Sequence, residues 1–191
     1  MSEGSLEAPT RHPIDWENPE YFERESLDNE LRRIFDICHG CRRCFNLCDS
    51  FPRLFDLIDE SQTGELDSVP SRKFGPVVDA CTLCDLCFMT KCPYVPPHEF
   101  NVDFPHLMLR YRAVEKRNGQ VSCNKEQLSN TDRNGKWLGY FATLVNWSNK
   151  VGNKFTRIII QKLIGIKKTA ALPKFYCKNF TTRAKREIPI I

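Results

Sequence analysis

The sequence lacks any run of about 18 uncharged apolar residues, the length that a helix needs to cross a membrane. Its first 26 residues also lack the apolar segment and the small-residue cleavage site of a secretory signal. We therefore expect no membrane-spanning helix, and a cytoplasmic location in which thiols are kept reduced. A chain without a membrane-spanning run and without a secretory signal can still attach to the surface of the inner membrane.

Alternation of apolar and polar residues, the mark of a β-strand, is also missing from every segment of the chain. Helical periodicity is present instead, as in Leu27, Leu31, Ile34 and Phe35, with Ser26 as the expected N-cap. We predict further helices at 51–60, before the cysteines at 81–92, and at 103–119, and one helix or a helix pair within 136–165. The predicted fold class is all-α.

Charge divides the chain unevenly. Residues 1–36 carry ten acidic and four basic side chains, a net charge of −6, whereas residues 101–191 carry 18 basic and five acidic ones, a net charge of +13. We expect an extended acidic arm over residues 1–25 that stays free, a cysteine-bearing domain over 26–119, and a basic helical tail over 120–191. The tail contains no nucleic-acid-binding motif. It is expected to pack on the core, to dock a partner subunit or to lie on a membrane surface, and we favour packing or docking.

Cysteine, in contrast, is abundant. Eight of the ten cysteines fall in two runs, "CHGCRRCFNLCD" (the first run, Cys38–Asp49) and "CTLCDLCFMTKCPY" (the second run, Cys81–Tyr94). Since cysteine at this density in a reducing compartment indicates metal or redox chemistry, disulfides are the weaker expectation. Cys123 and Cys177 lie outside the runs and are expected to be ordinary free thiols.

Each run places three thiols at i, i+3 and i+6, which allows a turning backbone to wrap them around three corners of a cube. The fourth thiol is offset, as in the bacterial ferredoxin pattern, where the fourth cysteine of one run ligates the other cluster. That pattern pairs Cys38, Cys41 and Cys44 with Cys92 on one [4Fe–4S] cluster, and Cys81, Cys84 and Cys87 with Cys48 on a second. Structural zinc is the alternative, although the third thiol comes too soon for one tetrahedral ion.

The two runs and "FGPVVDACTLCDLCFMTKCPYVPPHEFNVDFPHLMLR" resemble the α-helical ferredoxin domain. This domain occurs in the iron–sulfur subunits of heterodisulfide reductase, anaerobic glycerol-3-phosphate dehydrogenase and glycolate oxidase. The resemblance covers roughly residues 26–118. It implies two [4Fe–4S] clusters in a mostly helical domain that passes single electrons, and a redox partner that is a flavoprotein dehydrogenase or a subunit with paired "CCG" motifs.

The chain departs from that family at three points. The first run ends in "CD" where "CP" is usual, and the second run has four residues, "FMTK", before Cys92 instead of three. No "CC" pair occurs in the sequence, so the chain is similar to the short electron-transfer subunits or to part of a longer protein. These points leave the two cluster sites as the expected functional residues, with no catalytic residues.

The expected function is therefore electron transfer between a flavin- or quinone-linked dehydrogenase and another redox protein. The alternatives are a fragment of a larger catalytic Fe–S oxidoreductase and an interaction module in which metal serves only to stabilise the fold. Five apolar residues inside or beside the cysteine runs are expected to keep water from the clusters: Phe45, Leu47, Leu86, Phe88 and Met89.

Overall fold

The computed structural model describes residues 3–178, 180, 183 and 184, with the side chain of Lys91 left aside. These residues form helices and turns and contain no β-strand, which confirms the all-α prediction. None of the helices among them is long and apolar enough to cross a membrane. The chain divides into two compact units, one ending at Gln120 and one beginning at Val121.

Over the residues that the structure describes, four α-helices with defined bounds lie in the first unit and four in the second. They are α1 (Arg24–Cys41), α2 (Ser50–Asp59), α3 (Gly75–Ala80), α4 (Phe104–Arg117), α5 (Cys123–Ser129), α6 (Thr131–Tyr140), α7 (Ala142–Ser148) and α8 (Lys154–Ile164). Short 3₁₀ turns lie at Pro19–Phe22, Leu66–Ser68 and Ser71–Lys73, and one π-helical turn lies at Cys87–Lys91. The first run begins in the last turns of α1, which contain Cys38 and Cys41, and continues to α2, whereas the second run lies between α3 and α4.

Helix α1 begins two residues before the expected cap. Its N-cap is Glu23, and no side chain caps the first turn. Ser26 lies inside the helix, where its Oγ accepts a hydrogen bond of 2.9 Å from Arg110. The prediction of Ser26 as N-cap is therefore wrong, because a contact with α4, 84 residues away, uses the hydroxyl instead.

Helix α4 starts and ends where the sequence predicts. The carboxylate of Asp103 accepts a 3.1 Å hydrogen bond from the backbone N–H of His106, and Pro105 occupies the first turn. The helix ends at Arg117, and Gly119 follows with a φ of +67°, a conformation that glycine adopts without strain.

The core of the first unit lies between α1, α2, α3 and α4. The rings of Phe35 and Phe74 meet edge to face with centroids 5.1 Å apart, and both side chains are fully buried. The buried hydroxyl of Ser50 donates a 2.7 Å hydrogen bond to the carbonyl of Val77, so it satisfies a backbone acceptor that α3 leaves open. This bond and the aromatic contacts fix α2 against α3 on the inner side of the two runs.

The N-terminal arm lies along the first unit. The N–H of Ser5 donates to the carbonyl of Pro93 at 2.8 Å, and the N–H of Thr10 donates to the carbonyl of Pro96 at 2.9 Å. The guanidinium of Arg11 binds Asp85 at 2.8 Å and Asp103 at 2.9 Å. The prediction of a free arm is therefore wrong for residues 3–11, because the proline-rich segment offers backbone carbonyls that an extended strand of chain can bind.

Among its described residues, the second unit has three helices with defined bounds after α5, where the sequence predicted one helix or a helix pair within 136–165. The chain breaks at Phe141 and again before Asn153, whose side chain caps α8 by accepting a hydrogen bond from the N–H of Thr156. Three helices, α6, α7 and α8, therefore contribute to residues 136–165, so the prediction of one helix or a helix pair is wrong.

Candidate functional site

The eight cysteines of the two runs all belong to the first unit and line two small cavities. The first cavity is lined by Cys38, Cys41, Cys44 and Cys92, which we call the first set. The second is lined by Cys48, Cys81, Cys84 and Cys87, the second set. The cavities measure about 20 and 10 Å³. Each set takes three thiols from one run and one from the other, the same grouping that the ferredoxin pattern predicts.

Tight turns inside the runs orient these thiols. Arg42, Leu83 and Asp85 have φ values of +50°, +55° and +62°, in the left-handed region that side chains other than glycine rarely adopt. Each of the three lies between two cysteines of the same run. Such conformations cost of order 1–3 kcal/mol each and persist where the surrounding structure imposes them. Their concentration in the runs indicates a functional constraint on the direction of the thiols.

The π-helical turn accounts for the extra residue of the second run. The N–H of Cys92 donates to the carbonyl of Cys87 at 2.9 Å, a bond that spans five residues instead of the four of an α-helix. The four-residue spacer "FMTK" is thus absorbed in one wider turn. Cys92 reaches the first set despite this departure from the family spacing.

Burial and mutual repulsion raise the pKa of the thiols. Burial raises the pKa of Cys38 well above its ordinary value, and the neighbouring Cys92 and Cys44 raise it further. Burial likewise raises the pKa of Cys87, with added repulsion from Cys44 of the first set. The two sets therefore lie close enough to interact electrostatically. Since four thiolates in a buried space repel one another, a bound cationic group would stabilise the deprotonated form.

Positive groups and backbone donors compensate part of this charge. Burial raises the pKa of Cys92, whereas the N–H groups of Tyr94 and Val95 and the guanidinium of Arg43 lower it. At the second set, Arg112 donates to the carbonyl of Cys81 at 2.5 Å and lowers the pKa of the Cys81 thiol, against the larger effect of burial.

Arg112 is a site residue that the sequence reading missed. It lies on α4, 31 residues after Cys81, and no local pattern connects the two. The sequence signal for Arg112 is its position on α4, the first α-helix after the second run. Arg43, by contrast, lies inside the first run and lines the first cavity.

The apolar walls of the cavities differ from the prediction. Of the five shielding residues expected, Leu47 and Leu86 line the second cavity, although Leu86 is 49% exposed, whereas Phe45, Phe88 and Met89 line neither cavity. The prediction is wrong for these last three, because Phe45 and Met89 point to solvent and Phe88 is buried under the guanidinium of Arg11, 4.2 Å from its ring centroid.

Aromatic residues of the neighbouring helices form the walls instead. Phe51 lines both cavities, Phe55 lines the first, and Phe104 lines the second. Tyr94 and Val102 complete the wall of the first cavity. The sequence signal for Phe51 and Phe55 is their i, i+4 spacing on the helix that begins directly after Cys48.

An ion-pair group at the surface joins the C-terminal ends of α1 and α2. Asp59 accepts hydrogen bonds from Arg42 and lies 2.9 Å from the Nε2 atom of His39. These two partners, Arg42 first, lower the pKa of Asp59 to about 2. Of the two arginines in the first run, Arg42 and Arg43, the first is thus paired with an acid from α2.

The remaining cysteines lie apart from both sets. Cys123 and Cys177 are exposed and line neither cavity.

Across the part of the chain that the structure describes, no three histidine, cysteine, aspartate or glutamate side chains are grouped closely enough to hold a single metal ion.

No protein-family model matches the chain, and neither curated proteins nor solved structures gave a significant match. The functional interpretation therefore rests on the residues and the geometry described above.

Proposed function

We propose that the first unit binds two [4Fe–4S] clusters, one on Cys38, Cys41, Cys44 and Cys92 and the other on Cys48, Cys81, Cys84 and Cys87. The observation that carries the proposal is the division of eight thiols into two sets of four, with the fourth member exchanged between the runs. This exchange is the signature of two-cluster ferredoxins. It also supports our proposal that the chain is related to the α-helical ferredoxin domain.

The donor set and its surroundings fit such a group. Four cysteines per site are the ligand set of a [4Fe–4S] cluster, and because each thiolate binds a different iron atom, the donors surround the group and need not converge on one point. Since the cavities are small, the fit rests on the number and arrangement of the thiols and not on volume. The aromatic walls cover the sites on the side of the core, although Cys84 is exposed, and Arg43 and Arg112 offset negative charge.

When bound, such clusters accept and release single electrons. We therefore propose that the protein is an electron-transfer protein or subunit that relays electrons between a flavin- or quinone-linked dehydrogenase and another redox protein. The proposed partner is a flavoprotein dehydrogenase or a subunit with paired CCG motifs, as the family resemblance implies. The residues of this chain would hold the clusters, exclude water and set the local charge, with no catalytic residue of their own.

The second unit is the proposed docking surface for that partner. It exposes six large apolar side chains: Trp137, Phe141, Leu144, Val151, Phe155 and Ile158. Residues 121–178 also carry eleven basic and only two acidic side chains. An acidic partner surface with an apolar centre would complement both features. Peripheral association with the inner membrane is the competing outcome, and sedimentation with anionic vesicles would reveal it.

The cluster proposal is tested by anaerobic reconstitution of the full chain with iron and sulfide. We expect about eight irons and eight acid-labile sulfides per chain, with broad absorption near about 400 nm from thiolate-to-iron charge transfer. The double variant Cys123→Ser, Cys177→Ser should retain the full content, because neither residue lines a cavity. A content near four irons would contradict the two-cluster proposal, and a colourless zinc-binding chain would support a metal-stabilised interaction module instead.

A further inference from the structure

The second unit contains a large cavity, and no cysteine lines it. Its volume is about 830 Å³, and all of its lining residues fall between Asn124 and Phe175. Apolar side chains form most of its surface, among them Leu138, Ile160 and Leu172. Cavities of ~300–1,000 Å³ are the size that drug-sized ligands occupy in proteins.

The polar groups at this cavity are uncharged. Its polar lining residues are Asn124, Gln127, Asn134 and Asn149, together with Thr131 and Ser148. Among the described residues that line it there is no lysine, arginine, aspartate or glutamate. This composition contrasts with the surface of the same unit, where basic residues predominate. The cavity lining is therefore uncharged in a unit whose net charge is positive.

Partly buried hydrogen bonds hold the wall of the cavity in place. The side chain of Asn146 donates to the carbonyl of Phe175 at 2.8 Å and accepts from its N–H at 2.9 Å. Arg157 is almost fully buried and donates to the carbonyls of Lys168 and Ala170 at 3.0 and 2.6 Å. These contacts fix the segment that carries Leu172 and Phe175 against α7 and α8, so the cavity cannot collapse unless they break.

From these features we infer that the second unit binds an uncharged amphiphile, a molecule with an apolar chain or ring system and a carbonyl or hydroxyl group. Burial of an apolar body in the cavity gains roughly 25 cal/mol per Å². A carbonyl or hydroxyl group can bond the side-chain amides, whereas a charged group would lose its hydration with no opposite charge to pair with. The binding site does not depend on the proposed clusters.

The experiment is a fluorescence titration of the full chain with two probes that share one ring skeleton. N-phenyl-1-naphthylamine is neutral, and 8-anilinonaphthalene-1-sulfonate carries an added negative charge. We expect the neutral probe to saturate at one per chain and to bind about tenfold more tightly than the anionic probe. The basic surface favours the opposite order, so the preference would report the cavity and not the surface. Iron is not needed, so failure of the cluster proposal would leave this result unaffected.

Two neighbouring positions on α8 supply a matched pair of variants. Ile160 lines the cavity, whereas Ile159 is 40% exposed and is not part of the lining. Ile160→Trp should fill the cavity and weaken binding of the neutral probe about tenfold or more, and Ile159→Trp should leave it within about twofold. Asn149→Asp adds a charge at nearly constant volume and should also weaken binding, which provides a second measurement if Ile160→Trp loses helical circular dichroism. Non-saturable binding, equal affinity for both probes, or equal effects of the two tryptophan variants would overturn the inference.

Discussion

The rings of Phe51 and Phe104 lie 4.7 Å apart, centroid to centroid, at an interplanar angle of 32°. Phe51 belongs to α2, which follows the first cysteine run, and Phe104 belongs to α4, which follows the second. Phe51 lines both cysteine cavities, and Phe104 lines the second. The contact therefore joins the two halves of the first unit at the point where the two sets of thiols meet.

Removing the Phe51 ring should destabilise the first unit strongly. Phe51 is only 2% exposed, so Phe51→Ala is expected to lower the free energy of unfolding by about 3–5 kcal/mol, through lost apolar burial and the cavity left behind. Phe45→Ala is the matched control, since Phe45 is 57% exposed, and should cost less than about 1 kcal/mol. Urea unfolding followed by circular dichroism measures both. Equal costs would show that Phe51 does not join the two halves.

The exchange of the fourth cysteine can be tested by comparing pairs of serine variants. Cys92→Ser should alter the same cluster signal as Cys41→Ser, because both residues line the first cavity. Cys48→Ser should alter the same signal as Cys84→Ser, because both line the second. Electron paramagnetic resonance of partly reduced samples separates the two signals.

The same four variants also test the competing arrangement. If each run bound its own cluster, Cys92→Ser would instead match Cys84→Ser, and Cys48→Ser would match Cys41→Ser. Cys123→Ser, at an exposed position outside both sets, should leave both signals unchanged.

The surface ion-pair group predicts a defined response to acid. The pKa of Asp59 is lowered to about 2 from an ordinary value of 3.8, with Arg42 as the main cause. Because the folded pKa is depressed, the stabilisation is present above about pH 3.8 and is lost as the pH falls through about 2. Arg42→Ala should raise the pKa of Asp59, as measured by NMR titration of its carboxyl carbon. Arg53→Ala, at an exposed arginine of α2, should leave the titration midpoint unchanged.

Truncation after Gln120 should leave the first unit folded. All eight cysteines of the two sets and all members of its core cluster, the last of which is Val114, precede that residue. We expect the truncated chain to retain about eight irons after reconstitution, with an unfolding free energy within about 1 kcal/mol of the full chain.

A longer truncation provides the control for that experiment. A chain that ends at Asn101 lacks α4 and with it the buried residues Phe104 and Met108, so it should lose cooperative unfolding. If the chain that ends at Gln120 also lost its iron, the second unit would be needed for the fold of the first.

Local patterns made α4 predictable from the sequence. Asp103, Pro105 and Gly119 act through their own backbone conformation and through bonds to residues three or four positions away, so the sequence contains the information that they need. The grouping of the cysteines also follows from their spacing, through the ferredoxin pattern. Binding of iron by these thiols stays a prediction.

Contacts between distant segments were not predictable in this way. Arg11 binds Asp85 and Asp103, 74 and 92 residues away, and Arg112 binds the carbonyl of Cys81 from another helix. Each of these arginines resembles an ordinary solvated charge in the sequence, and only the packing of the helices gives it a partner. The same reason explains why the arm was expected to stay free.

The exchange of cysteines between the runs has a consequence for the order in which the chain is made. Cys92 follows Cys44 by 48 residues, so a ribosome releases three thiols of the first set long before the fourth. A nascent chain that ends before Cys81 presents four thiols in a row, three from one set and one from the other. If the two sets bind clusters as proposed, iron captured at that stage would join thiols of different sets, and correct loading would require that both runs leave the ribosome before metal is delivered.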